Sequence, residues 1–234
     1  MSGRLIYEWR HLFKLDPDKT LSDEALEALC LSGTDAVVVG GSSGVTYDNV
    51  IDLLARLRRY ETPCALEVTD LQTIVPGFDL YLVPIVLNTT DPDYIIRRHQ
   101  QAMKMLGSLT SQQEFIAEAY IIANPDCTAA RVASAQQPLT DADILAYGRV
   151  ADQLMRIPII YLEYSGAFGS MSLLHELKRV VRQARIFYGG GIDHEERARL
   201  ASEAADTIVV GNVIYESLER ALSTVQAVNK DRKV

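Results

Sequence analysis

The chain is poor in cysteine, aromatic residues and positive charge, and each shortage narrows what it can be. Cys30, Cys64 and Cys127 are its three cysteines, with neither a CxxC pair nor zinc-ligand spacing. An odd number of scattered cysteines excludes a disulfide framework and reads as reduced, partly buried thiols. No apolar stretch approaches the roughly 18 residues that span a bilayer, and the first residues, MSGRLIYEWRHLF, carry no secretory pattern. The expectation is a cytoplasmic protein without stable membrane insertion. Lys and Arg number 23 against 31 Asp and Glu, a formal net charge of −8. That field disfavours nucleic acid, so an anionic ligand must be held locally by backbone N–H groups, a metal ion or a few placed cations. Also missing are a GxGxxG turn after the first strand, where LDPDKT stands instead, and a nucleophilic Ser-His-Asp arrangement. The four histidines, His11, His99, His175 and His194, are scattered and read as surface or capping residues.

What is present is alternation. Hydrophobic residues make up 48% of 234, enough for one sizeable core, and no linker divides residues 1–234 into two domains. Eight short apolar runs read as strands: 10–15, 35–40, 63–68, 79–84, 117–123, 157–163, 184–189 and 206–210. Their near-continuous hydrophobicity suits parallel strands buried on both faces. Helical patterns fall between most of them, at 22–31, 46–59, 92–106, 140–155, 170–182, 194–203 and 213–228. Ser22, Asp91-Pro92 and Thr140 supply start signals. Between the third and fourth strands, residues 69–78 (TDLQTIVPGF) are too short and too marked by Pro and Gly for a crossover helix. The fold expected is an α/β modified (β/α)8 TIM barrel lacking the helix between strands 3 and 4; an open doubly wound sheet is the alternative.

In such barrels the chemistry lies at the C-terminal ends of the strands. The seventh strand ends in Tyr188-Gly189-Gly190-Gly191 and the eighth in Gly211-Asn212, each running into a helix. Glycines there admit a close ligand and helix N-termini point N–H groups at it, the phosphate grip of this fold; a plain tight turn is the competing reading. Lys14 and Asp16 end the first strand two residues apart, so they share a face, either at the barrel mouth or as an exposed pair. The Gly40–Gly44 loop offers Ser42 and Ser43 hydroxyls that can join a carboxylate around Mg2+. Tyr161 and Glu163 share a face of the sixth strand. A carboxylate on a buried strand needs a partner or a task, so Glu163 is either a general base or a structural partner of Lys14.

At these positions the sequence resembles the geranylgeranylglyceryl phosphate synthase family, and more closely its bacterial heptaprenylglyceryl phosphate synthase branch. The resemblance is carried by HLFKLDP (11–17), SGTDAVVVGGSSGVT (32–46), VPGFDLYLVPIVLN (75–88), IANPDC (122–127), IYLEYSG (160–166), FYGGGI (187–192) and IVVGN (208–212). Ser43 departs from the Asp or Thr common at its position. The resemblance implies a homodimeric barrel that uses Mg2+ to transfer a long polyprenyl group from its diphosphate to the C3 hydroxyl of sn-glycerol 1-phosphate, giving an ether-lipid precursor. It implies that Asp16 and Ser42 serve Mg2+, and that Lys14, Tyr161, Leu162, Glu163, Tyr164, Ser165, Gly166, Gly191, Gly211 and Asn212 hold glycerol 1-phosphate. It also sets Ala102, in the helical pattern at 92–106 with Tyr94, Ile95, Met105 and Leu106, beside the prenyl groove, where shorter-chain archaeal relatives place a bulky aromatic. Two readings compete: a sugar-phosphate isomerase or aldolase on the same barrel, and a non-catalytic sensor of a phosphorylated metabolite.

Overall fold

A computed structural model describes residues 6–106 and 115–229, apart from the side chains of Met105 and Leu106. Eight parallel strands close into a barrel in sequence order, with the last pairing to the first. They are β1 (His11–Leu15), β2 (Ala36–Val39), β3 (Cys64–Glu67), β4 (Leu80–Val86), β5 (Phe115–Ile122), β6 (Ile159–Glu163), β7 (Arg185–Gly189) and β8 (Thr207–Val210). Alternation along each strand sorts side chains into two cores. Leu12, Val38, Ala65, Leu82, Tyr120, Ile159, Tyr161, Phe187 and Val209 fill the lumen, which Trp9 and Ile6 join. Phe13, Leu15, Val37, Leu66, Leu162, Tyr188 and Val210 point outward and pack beneath the helices.

The helices are α1 (Asp23–Cys30), α2 (Tyr47–Leu57), α3 (Arg97–Leu106), α4 (Thr128–Val132), α5 (Asp141–Arg149), α6 (Met171–Val180), α7 (Glu195–Ala204), α8 (Val213–Glu216) and α9 (Leu218–Asn229). Ser22 caps α1 through the Ala25 N–H, and Thr140 with Asp143 forms a reciprocal capping box on α5. Between β3 and β4 there is a single 3-10 turn, Leu71–Thr73, as the Pro- and Gly-marked stretch implies. Three expected helices are interrupted. Residues 92–94 form a 3-10 turn ahead of α3, α5 continues as a π-helical segment Val150–Met155 that stops at left-handed Arg156 (φ 54), and extended Ser217 separates α8 from α9. The short α4, which Cys127 caps, was not expected from the sequence.

The histidine reading needs one correction. His11 is buried on β1, its two ring nitrogens 2.9 Å from the hydroxyls of Thr34 and Thr224. Those hydroxyls satisfy an imidazole between barrel and helices, which periodicity alone does not reveal. All three cysteines are free and buried.

Candidate active site

Two cavities open at the C-terminal end of the barrel. A polar basin of about 650 Å³ lies over the lumen, and an apolar groove of about 410 Å³ runs from it toward the flank that lacks a helix. The groove passes between residues 68–71, the β4 residues Val83, Pro84 and Val86, and the α3 face carrying Ala102. The missing crossover helix therefore leaves the barrel wall uncovered where an elongated apolar ligand can lie. Gly41, Ser42, Ser43 and Ala129 line both cavities, so the β2–α2 loop marks their junction.

The basin brings together most of the residues singled out from sequence. Lys14, Asp16, Ser42, Tyr161 and Glu163 line it, as do Ser165, Gly166, Gly191, Gly211 and Asn212. Leu162 and Tyr164 do not: the Leu162 side chain is buried under the helices, and Tyr164 packs beside it in that outer layer. Gly190 (φ 148) and Gly191 (φ 58) occupy backbone conformations that favour glycine. A Cβ on Gly191 would stand 2.5 Å from Phe168 N and 2.6 Å from Ala167 C, so this glycine also lets the β6–α6 loop close against the β7 turn. Lys19, from the loop after β1, donates to Asn212 Oδ1 at 3.2 Å and lies 4.7 Å from the Tyr215 ring centroid. Among the described lining residues Lys14, Lys19 and Arg197 supply cations, set among the carboxylates of Asp16, Asp126, Glu163, Asp193 and Glu216.

A chain of short contacts crosses the lumen beneath. Lys14 Nζ donates to Glu67 Oε1 at 2.8 Å and stands 2.7 Å from Oε2. It also lies 3.3 Å from the Tyr120 hydroxyl, which donates to Glu163 Oε2 at 2.6 Å. The Ser165 N–H donates to Glu163 Oε1 at 2.6 Å. The Tyr120 and Tyr161 rings stack at 4.6 Å below the ammonium. Glu163 is thus held by Tyr120 and Ser165, and the carboxylate bound directly to Lys14 is Glu67. Burial raises the Glu163 carboxyl above its ordinary range, with the Lys14 charge and the Tyr120 hydrogen bond pulling the other way. Glu118 lies deeper, wholly buried, with neither oxygen hydrogen-bonded among the described residues; burial and then Glu67 push its carboxyl well up.

Sequence reasoning missed Glu67, Glu118 and Tyr120. Like Glu163, Glu67 in 63–68 and Glu118 in 117–123 are carboxylates on buried strands and are as costly without a partner or a task. The period of two then puts Tyr120 on the Glu118 face.

The Asp16 carboxylate is half-buried, and burial raises it first among its influences. Its Oδ1 accepts from the Asp18 N–H at 3.1 Å, while Oδ2 makes no hydrogen bond among the described residues. A Cβ on Gly41 would collide with this carboxylate, so glycine there lets the β2–α2 loop approach it. No cluster of three or more His, Cys, Asp or Glu among the described residues has metal-holding geometry. The Asp16 carboxylate and Ser42, which line the same basin, are oxygen donors of the kind Mg2+ takes, a hard cation that keeps waters and is completed by substrate phosphates rather than by a closed protein cage.

A closed eight-stranded barrel with glycine loops on its last two strands and a polar basin over the lumen has the architecture of the TIM-barrel enzymes, in which such loops commonly bind a phosphate. Residues 4–229 match the PcrB family, and the chain belongs to that family. It is 53% identical over 225 residues to the heptaprenylglyceryl phosphate synthase of Geobacillus kaustophilus (strain HTA426), covering 96% of this chain and 94% of that protein. It is 52% identical over 223 residues to that of Bacillus subtilis (strain 168), covering 95% and 97%. In three dimensions it is similar to (S)-3-O-geranylgeranylglyceryl phosphate synthase from Thermoplasma acidophilum, solved in complex with its substrate sn-glycerol-1-phosphate, with a TM-score of 0.87 over 98% of each chain. At 21% identity that likeness speaks for the fold.

Proposed function

We propose that the chain is a prenyltransferase that moves a heptaprenyl group from its diphosphate to the C3 hydroxyl of sn-glycerol 1-phosphate, acting with Mg2+ as a homodimer. Membership of the PcrB family and the names of the relatives support the reaction class. The observation that carries the reading is the joining of two unlike cavities at one loop: a polar, cation-bearing basin suits a small phosphate ester, and an apolar groove suits an isoprenoid tail. No helix among the described residues is long and apolar enough to cross a membrane, and the apolar groove between β4 and α3 offers the tail a place on the protein.

The Gly189–Gly191 and Gly211–Asn212 backbones grip the phosphate, with Lys14 and Lys19 beside them, and this fixes where the C3 hydroxyl points. That hydroxyl reaches toward Glu163. As its oxygen bonds to C1 of the prenyl chain, the C1–O bond to diphosphate breaks and the electron pair leaves with the diphosphate, while Glu163 takes the hydroxyl proton. Asp16 and Ser42 would hold Mg2+, which when bound would supply neutralising charge for the leaving diphosphate. The elevated Glu163 carboxyl suits it to accept a proton near neutral pH. A Schiff-base aldolase would need a lysine at a strand end, and Lys14, the strand-end lysine here, is paired with Glu67.

Glu163→Gln preserves shape but cannot take the proton. It is expected to lower kcat roughly 10²–10⁴-fold while calorimetry still detects glycerol 1-phosphate binding. Turnover near that of the parent would remove Glu163 from the base role. A parent that binds glycerol 1-phosphate but turns nothing over would make the barrel a sensor.

A further inference from the structure

The Lys14 ammonium stands in the wall between the two cavities. Its side chain lines the basin, whereas Glu67, its partner, lines the groove. The Lys14 side chain is 18% exposed and that of Glu67 4%, so an ammonium here needs a carboxylate partner. Three carboxylates face the same lumen: Glu67, Glu118 and Glu163. Glu67 binds with both oxygens within 2.8 Å, and Glu118 forms no hydrogen bond among the described residues. The Tyr120 hydroxyl sits between Lys14 and Glu163, 3.3 Å from the ammonium and 2.6 Å from the carboxylate.

We propose that Glu67 is a positioning residue that keeps Lys14 off Glu163, leaving the Glu163 carboxylate free to accept the substrate proton. This rests on the reading of Glu163 as base in prenyl transfer. Without a charge at position 67, the ammonium has a short path past Tyr120 to Glu163. A carboxylate locked in an ion pair is a weaker base, because the pair favours its ionised form. Glu67 therefore acts on the reaction without touching the glycerol phosphate.

The test is steady-state kinetics on Glu67→Gln and on Lys14→Met/Glu67→Gln, with circular dichroism to verify folding. Gln preserves the size of Glu67 and removes its charge. The single variant is expected to lose tenfold or more in kcat, with KM for the prenyl diphosphate within about threefold of the parent. Removing the stranded ammonium should then restore kcat at least about fivefold over the single variant, even as KM for glycerol 1-phosphate rises with the loss of Lys14. A kcat loss below tenfold in folded Glu67→Gln, or no recovery in the double variant, overturns the proposal. If Glu67→Gln does not fold, the double variant decides: kcat within about 30-fold of the parent supports the role, and a greater loss overturns it. A parent without prenyl transfer defeats the functional reading itself, and this role with it.

Discussion

Gly191 and Gly211 end neighbouring segments of the basin, yet their surroundings differ. Any side chain at Gly191 pushes on the backbone of Ala167 and Phe168, so substitution there would mix loop damage with loss of the proposed phosphate grip. A Cβ at Gly211 would meet only the Lys14 carbonyl oxygen, at 3.6 Å, an ordinary contact. Gly211→Ala should therefore fold like the parent but hold its N–H farther from the phosphate. We expect KM for glycerol 1-phosphate to rise about tenfold, with KM for the prenyl diphosphate unchanged. Equal rises for both substrates would place the phosphate elsewhere. At this scale the sequence was partly legible. The glycine runs and Glu163 declare themselves because each residue type is costly in an ordinary buried strand. The partnership of Lys14 with Glu67 was hidden, because it spans 53 residues and two strands that local periodicity cannot pair.

At the scale of elements, the groove exists because residues 68–79 turn back with only a 3-10 turn, and α3 forms its far wall. That missing helix was readable from TDLQTIVPGF, whose Pro and Gly leave no room for an amphipathic repeat. The breaks in the helices were not: π-helical 150–155 lies within the same apolar pattern as α5, so periodicity does not mark the register shift. Ala102 is 7% exposed and lines the groove. Ala102→Trp should occupy groove space rather than overpack a core, so its melting temperature should stay near that of the parent. Blocking the distal isoprene units should shift preference from heptaprenyl toward geranylgeranyl diphosphate, read as the ratio of kcat/KM values, with glycerol 1-phosphate affinity unchanged. A variant that uses heptaprenyl diphosphate as well as the parent would mean that the tail leaves by another route.

For the molecule as a whole, the barrel class was legible because eight buried β-branched runs alternating with capped helices admit few other packings. What was not legible is the concentration of charge inside the barrel. Lys14, Glu67, Glu118 and Glu163 all lie in the lumen, an arrangement expensive for folding and useful for chemistry. Glu118 carries a stability prediction. Burial first, then repulsion from Glu67, with Lys14 opposing, keep its proton on to a pH well above the usual carboxyl range. Between the unfolded and folded values the native state binds more protons, so this residue makes stability fall as pH rises through that window. Glu118→Gln removes the titration, and urea unfolding should show a stabilisation over the parent that grows between pH 5 and pH 8. A gain that stays flat over that range would mean that Glu118 is already ionised in the native barrel.

The central claim, that one loop joins a phosphate basin to a prenyl groove for a single transfer reaction, has a direct test. The parent is incubated with labelled sn-glycerol 1-phosphate, Mg2+ and equal amounts of geranylgeranyl and heptaprenyl diphosphate, then extracted with organic solvent. Label is expected in the organic phase, mainly as the heptaprenyl ether, and is lost when Mg2+ is chelated or when Glu163→Gln replaces the parent. Label that stays in water with a folded protein and both donors present would contradict it.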